Sequence, residues 1–138
     1  MYDSENFQVM NYGLGGTISL HVDEENIHSH TREGFNPINT RIMTFMTYLS
    51  DVTVGGNTVF PQIDLSVKPT KGSALFWFNI SPSMHFDSRL LHLGCPVVYG
   101  NKWIVNKWVN LYAQYDNYKC SENANAYSIH LNNEYEDD

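Results

Sequence analysis

Apolar positions along this 138-residue chain fall into short runs with a two-residue period, and stretches with a clean 3.6-residue period are scarce. "TISLHVD" (17–23) alternates from end to end. Ile18, Leu20 and Val22 share one face, and Thr17, Ser19, His21 and Asp23 share the other. Ahead of it, "FQVMNYG" (7–13) reads as a strand ending in the turn "GLGG". Further strands are expected in "TRIMTFMTYLSDV" (40–52), in "VGGNTVFP" (54–61) after a Gly-Gly turn, and in "SALFWFNI" (73–80), with "LSVKPTKG" (65–72) as a turn before the last. "RLLHLGCPVVYG" (89–100) and "KWIVNKWVNLYAQY" (102–115) supply the final two, broken at Gly100-Asn101. The polar segment 24–39 reads as a long loop. Roughly seven or eight short strands at regular spacing predict a mainly β domain: a sandwich, jelly roll or barrel.

Length changes this picture only by limiting it to one domain with a real core. The folded part is expected over residues 1–115, and the polar residues 116–138, ending in "NNEYEDD", as an acidic tail. Charge removes two classes of partner. Eight Lys and Arg stand against fifteen Asp and Glu, a net charge of −7, and such a surface repels nucleic acid and anionic lipid. No uncharged apolar stretch approaches the roughly 20 residues that span a bilayer, and "MYDSENFQVM" has no basic segment followed by an apolar run, so no secretory leader is expected there. Cys95 and Cys120 lie 25 residues apart and form no Cys-x-x-Cys pair. In a reducing compartment they are core thiols, and in an oxidising one they can close a loop; their spacing leaves both open.

Two stretches hold a histidine, one spacer and an aspartate: His21-Val22-Asp23 and His85-Phe86-Asp87. An iron(II) oxygenase centre needs two imidazoles and one carboxylate on one side of the metal, with the neighbouring positions open. His21 and Asp23 lie on one strand face, and His92 follows His21 by 71 residues, enough for the intervening strands to bring it across a barrel as the third ligand. His85 precedes His92 by only 7 residues, within one loop and strand. The first motif is the better candidate, although an isolated His-x-Asp is common by chance and a lone histidine is more often a hydrogen-bonded core residue. His28, His30 and His130 read as exposed polar residues. Lys102 starts the strand after His92. Inside a small barrel an ammonium is costly without an anion, so a cavity-facing Lys102 would suit the far carboxylate of a dicarboxylic co-substrate.

At this point "NYGLGGTISLHVD", "RIMTFMTYLSDVTVGGNTVFP", "VKPTKGSALFWFNI" and "LLHLGCPVVYGNKWIVNKW" resemble, in order, the motifs of the catalytic domain of the collagen prolyl 4-hydroxylase α subunits, within the iron(II)/2-oxoglutarate-dependent dioxygenases. The resemblance covers about residues 5–110. It implies a double-stranded β-helix, or jelly roll, and a procollagen-proline 4-dioxygenase activity using Fe(2+), 2-oxoglutarate, O2 and L-ascorbate. It implies His21, Asp23 and His92 as metal ligands, Lys102 as the partner of the distal carboxylate of 2-oxoglutarate, and Tyr12 and Thr58 as hydrogen-bonding groups beside it. Arg41 and Trp108 match positions lining the peptide groove, and Cys95 and Cys120 match a disulfide. The implied setting is the endoplasmic reticulum lumen, with a proline-rich or collagen-like polypeptide as substrate and a protein disulfide isomerase as β subunit.

Some positions depart from the family pattern. Ile18 and Leu20 stand where the family has Tyr and Pro, Asn110 stands in place of a histidine, and Leu91 and Leu93 flank His92. The family's further catalytic-domain elements ahead of the "NYG" strand are not expected in this chain. The alternative reading is therefore a catalytically impaired or fragmentary paralogue that only binds proline-rich peptide or a partner subunit.

Overall fold

Among the described residues ten short strands form: β1 (Gln8–Tyr12), β2 (Ile18–His21), β3 (Arg41–Tyr48), β4 (Val52–Gly55), β5 (Thr58–Phe60), β6 (Leu65–Val67), β7 (Ala74–Phe78), β8 (His92–Gly94), β9 (Val97–Gly100) and β10 (Lys102–Asn110). They belong to a computed structural model that describes residues 4–24, 40–81 and 87–114. Two four-stranded sheets, ordered β1-β10-β3-β7 and β2-β8-β5-β6, and a two-stranded β4-β9 ribbon give the expected mainly β, jelly-roll architecture. All pairings are antiparallel. Among the described residues no helix is long and apolar enough to cross a membrane. The expected loop 24–39 lies, after Glu24 and up to Thr40, outside the described residues, as do His28, His30, His85, Cys120, His130 and the whole expected tail 116–138.

Three elements differ from the sequence reading, the first two because side chains or proline replace ladder hydrogen bonds. Residues 40–52 split into β3 and β4. Between them Ser50 Oγ donates to the Asn101 carbonyl and accepts from the Trp103 N–H, and Asp51 Oδ1 accepts from the Lys71 N–H. Residues 89–100 split into β8 and β9 at Cys95-Pro96, where proline has no N–H to donate and the Cys95 N–H turns to the Asn57 carbonyl. Residues 65–67, expected as a turn, form β6 and pair with β5. A 3-10 turn over Pro61–Ile63 makes that hairpin possible, closed by Asp64 in the left-handed region at φ 53°.

The main core lies between the two sheets. Met46, Tyr48, Phe60, Trp77 and Ile104 are buried together, with Met10, Tyr12, Val67, Leu75 and Leu90 packed against them. Ile42, Ile80 and Leu111 close one end. β3 and β10 alternate as expected, with Ile42, Thr44, Met46 and Tyr48 buried on one and Lys102, Ile104, Asn106, Trp108 and Asn110 on the other. Their opposite face carries exposed apolar side chains among the described residues, including Val9, Phe45, Phe76 and Trp103.

Two register shifts turn side chains that alternation alone would misplace. One lies in the β2·β8 pairing between Ile18 and His21, the other in the β10·β3 pairing between Val109 and Asn110, where Asn110 comes opposite Arg41. A bulge puts two residues of one strand opposite one of its neighbour and re-aims the side chains beyond it. As a result Ile18, expected on the face away from His21 and Asp23, lines the same cavity as they do, and so does Arg41.

Candidate metal and co-substrate site

One cavity of about 720 Å³ opens between the sheets, and His21, Asp23, His92, Lys102 and Thr58 are all in its lining. His21 and His92 are direct cross-strand partners on β2 and β8. The sequence reading had His92 arriving from across the barrel. It comes instead from the neighbouring strand of the same sheet, because the 71-residue excursion returns the chain to pair antiparallel beside β2. Facing side chains of such a pair sit only about 5 Å apart at Cβ, and the two imidazole centroids are 4.3 Å apart.

His21, Asp23 and His92 fit a cation by the chemistry of their donor set. His21 Nδ1 lies 2.8 Å from the Ser19 carbonyl and His92 Nδ1 lies 2.9 Å from the Leu90 carbonyl. A carbonyl can only accept, so each Nδ1 carries the proton and each Nε2 presents a lone pair. Both Nε2 atoms are directed at one oxygen, Asp23 Oδ1, at 3.6 Å and 3.8 Å. One ligand atom from each of the three side chains lies within 4.8 Å of the others. Two lone pairs and a carboxylate converging in this way call for a positive ion, and two imidazoles with one carboxylate suit iron(II).

The electrostatics favour the ligating protonation states. Burial pushes the His92 pKa down, outweighing the opposing charge of Asp23, so the ring is neutral. Burial pushes Asp23 up, but the neighbouring His21, Thr44 and His92 together overcome it, and the net shift is downward to the ionised form. Phe60 stacks on His92 at 5.1 Å between centroids, and Trp77 meets it edge-on at 5.0 Å. These rings fix the imidazole plane.

The same lining holds a buried cation. Lys102 is 4% exposed, and burial pushes its pKa down from 10.5 to about 8. Its Nζ donates to Thr58 Oγ1 at 3.3 Å, and Tyr48 OH donates to the same oxygen at 2.7 Å. Because Thr58 accepts twice, its own proton remains to be donated. Tyr12 lies beside this group, its ring centroid 5.6 Å from Lys102 Nζ. Among the described residues no carboxylate pairs with Lys102. Gly94 keeps the space open, since a Cβ there would come within 2.9 Å of Ile18 Cγ2 and 3.6 Å of Lys102 Nζ.

In the cavity wall, Arg41 Cζ sits 3.8 Å over the Trp108 ring. Its guanidinium reaches Glu5 through Nε at 2.5 Å and Nη2 at 3.0 Å, and the Asp23 carbonyl through Nη1 at 3.2 Å. Asn106 and Asn110 line the same cavity, and among the described residues their Oδ1 atoms, with Trp77 Nε1, are buried without a hydrogen-bond partner, while the Trp108 indole N–H acts on Asp23.

The structure thus gathers His21, Asp23, His92, Lys102, Tyr12, Thr58, Arg41 and Trp108 around one cavity. Asp87, of the second His-x-Asp motif, is instead engaged by Arg89. Cys95 is half-buried and bonded to no other described cysteine, its implied partner Cys120 lying outside the described residues. The sequence reading missed Thr44, Tyr48, Asn79 and Glu5. Parity along β3 signals the first two, which share a face with Ile42 and Met46.

Comparison with known proteins agrees with this layout. Residues 7–110 match the 2OG-Fe(II) oxygenase superfamily. The chain is 44% identical over 109 residues to prolyl 4-hydroxylase subunit alpha-1 of Gallus gallus, covering 78% of this chain and 21% of that protein. It is 42% identical over 123 residues to prolyl 4-hydroxylase subunit alpha-3 of Homo sapiens, covering 86% and 22%. It therefore spans about a fifth of the length of these curated relatives. Among solved structures, the viral collagen prolyl hydroxylase of Paramecium Bursaria Chlorella virus-1, in a 2OG complex, superposes with a TM-score of 0.70 at 31% identity, over 80% of this chain and 60% of that one.

Proposed function

The chain belongs to the 2OG-Fe(II) oxygenase superfamily, and from that premise we propose that it is a peptidyl-proline 4-hydroxylase domain acting on collagen-like chains. The observation that carries the reading is the pairing of two unmet demands in one cavity: a His/Asp/His cluster that calls for a cation and a buried ammonium that calls for an anion. 2-Oxoglutarate answers both, with a 2-oxo acid group at one end and a carboxylate at the other.

In this reading His21, Asp23 and His92 hold iron(II), and Lys102 with Thr58 takes the distal carboxylate through charge-assisted hydrogen bonds, with Tyr12 forming the adjacent wall. Bound iron supplies O2 activation coupled to loss of CO2 from 2-oxoglutarate. The sum is peptidyl-proline, 2-oxoglutarate and O2 going to peptidyl-4-hydroxyproline, succinate and CO2. Arg41, stacked over the buried Trp108 ring, forms a cationic and aromatic wall of the cavity. Because Glu5 already neutralises that guanidinium, the wall suits an uncharged pyrrolidine ring better than an acidic side chain. Residues 1–115 form the catalytic unit and 116–138 an appendage. The endoplasmic reticulum lumen, a protein disulfide isomerase partner, the Cys95–Cys120 bridge and ascorbate as iron reductant complete the proposal.

The test is succinate release from the purified protein given iron(II), 2-oxoglutarate, ascorbate and a (Pro-Pro-Gly)-type peptide, with mass analysis of the peptide. Succinate matched by oxygen gained on proline is expected. Peptide binding without succinate would favour the second reading, a binding-only relative, which Asn110 in place of the family histidine supports, since its buried Oδ1 has no described partner. A pH profile probes the anion site. Only protonated Lys102 attracts the carboxylate, and in the free protein its pKa is about 8. The affinity for 2-oxoglutarate is therefore expected to be flat below pH 8 and to weaken about tenfold per unit above it. A pH profile of 2-oxoglutarate affinity that Lys102→Met leaves unchanged would remove Lys102 from the binding site.

A further inference from the structure

Asp23 presents its two oxygens to different surroundings. Oδ1 faces the two imidazoles, while Oδ2 lies 2.6 Å from Thr44 Oγ1. Thr44 has one hydroxyl proton and two candidate acceptors, Asp23 Oδ2 and, at 3.2 Å, Asn79 Oδ1. The shorter contact to an ionised oxygen takes the proton, because charge-assisted hydrogen bonds are shorter and about twice as strong as neutral ones. Thr44 Oγ1 then has lone pairs to offer, and Asn79 Nδ2 donates to it at 2.9 Å. Direction therefore runs one way, from Asn79 to Thr44 to Asp23.

This relay is rigid. Thr44 is fully buried on β3 and Asn79 is 3% exposed just beyond β7. The Asn79 N–H is fixed to the Ile42 carbonyl at 2.8 Å, and Thr44 pairs with Trp77 across the two strands. Asp23, by contrast, lies past the end of β2, where no ladder fixes the backbone.

We propose that Thr44, oriented by Asn79, is a positioning residue that occupies Asp23 Oδ2 and so offers the metal Oδ1 alone. The relay pre-sets a one-oxygen carboxylate ligand and leaves the remaining coordination positions for co-substrate and O2. This inference rests on the reading that His21, Asp23 and His92 bind the metal. Removing a group that orients a ligating carboxylate typically costs about 10–100-fold in metal affinity or activity.

The experiment is anaerobic titration with iron(II), and with cobalt(II) for its visible ligand-field spectrum, of wild type, Thr44→Val, Thr44→Ser, Asn79→Leu and His92→Ala, alongside melting of each metal-free protein. Thr44→Val keeps shape and removes the hydroxyl. It is expected to weaken both metals about 10–100-fold and to change the cobalt spectrum, while Thr44→Ser restores wild-type affinity and spectrum. Asn79→Leu is expected to weaken binding less than Thr44→Val, and carries the test if Thr44→Val does not fold. Wild-type affinity and spectrum in whichever of these two variants folds would overturn the relay. Metal binding by wild type that His92→Ala retains in full would overturn the underlying site instead, so the two failures are distinguishable.

Discussion

Replacing His92 with alanine is expected to abolish iron(II) binding, and with it all 2-oxoglutarate turnover. The ring contributes the Nε2 lone pair that lies 3.8 Å from Asp23 Oδ1, and without it one imidazole and one carboxylate remain, too few to hold iron(II) against water. Iron or cobalt affinity should fall by several orders of magnitude in a direct titration, well beyond the loss expected for a residue that only orients a ligand. Because His92 also packs against Phe60 and Trp77, His92→Gln, of closer volume, separates lost ligation from lost packing. It should fold as the wild type does and still fail to bind. His85→Ala is expected to bind iron normally. Equal loss from the His85 and His92 variants would sink the assignment of the third ligand.

Lys102→Met has the second largest expected effect, and its two consequences have opposite signs. Affinity for 2-oxoglutarate should fall about a hundredfold, in line with roughly 1.5–3 kcal/mol for a hydrogen bond to a charged group. Iron binding should persist, because Lys102 makes no contact with the three ligand residues among the described hydrogen bonds and ion pairs. At the same time the metal-free, co-substrate-free protein should melt higher. An ammonium buried to 4% exposure without a described carboxylate partner is held at the expense of its hydration, and a thioether of similar length removes that cost. A stability loss together with unchanged 2-oxoglutarate affinity would mean that Lys102 is structural. Gain of stability with loss of co-substrate binding is the pattern of a functional site kept at the cost of the fold.

Much of this was legible in the chain itself. The alternation of "TISLHVD" placed His21 and Asp23 on one face, and they do converge. Lys102, at the head of a strand after a Gly-Asn turn, was open to either a surface or an interior position from the chain alone, and it is buried. Long blocks in register identified the family. Side-chain period is a local property, set by the pleat, so a sequence carries it directly.

What tertiary structure alone decided is relative placement. The sequence carried a mainly β domain and the candidate residues for a cation and a dicarboxylate. It did not determine that β2 and β8 are neighbours, which makes His21 and His92 a cross-strand pair rather than groups meeting across a barrel. Nor did it reveal the shifts that turn Ile18 and Arg41 into the cavity, because a bulge depends on how two strands far apart in the chain come into register. Thr44, on β3, and Asn79, just beyond β7, are ordinary residues in the sequence. Only the pairing of β3 with β7 brings them together behind Asp23, and no spacing along the chain encodes a contact made between strands.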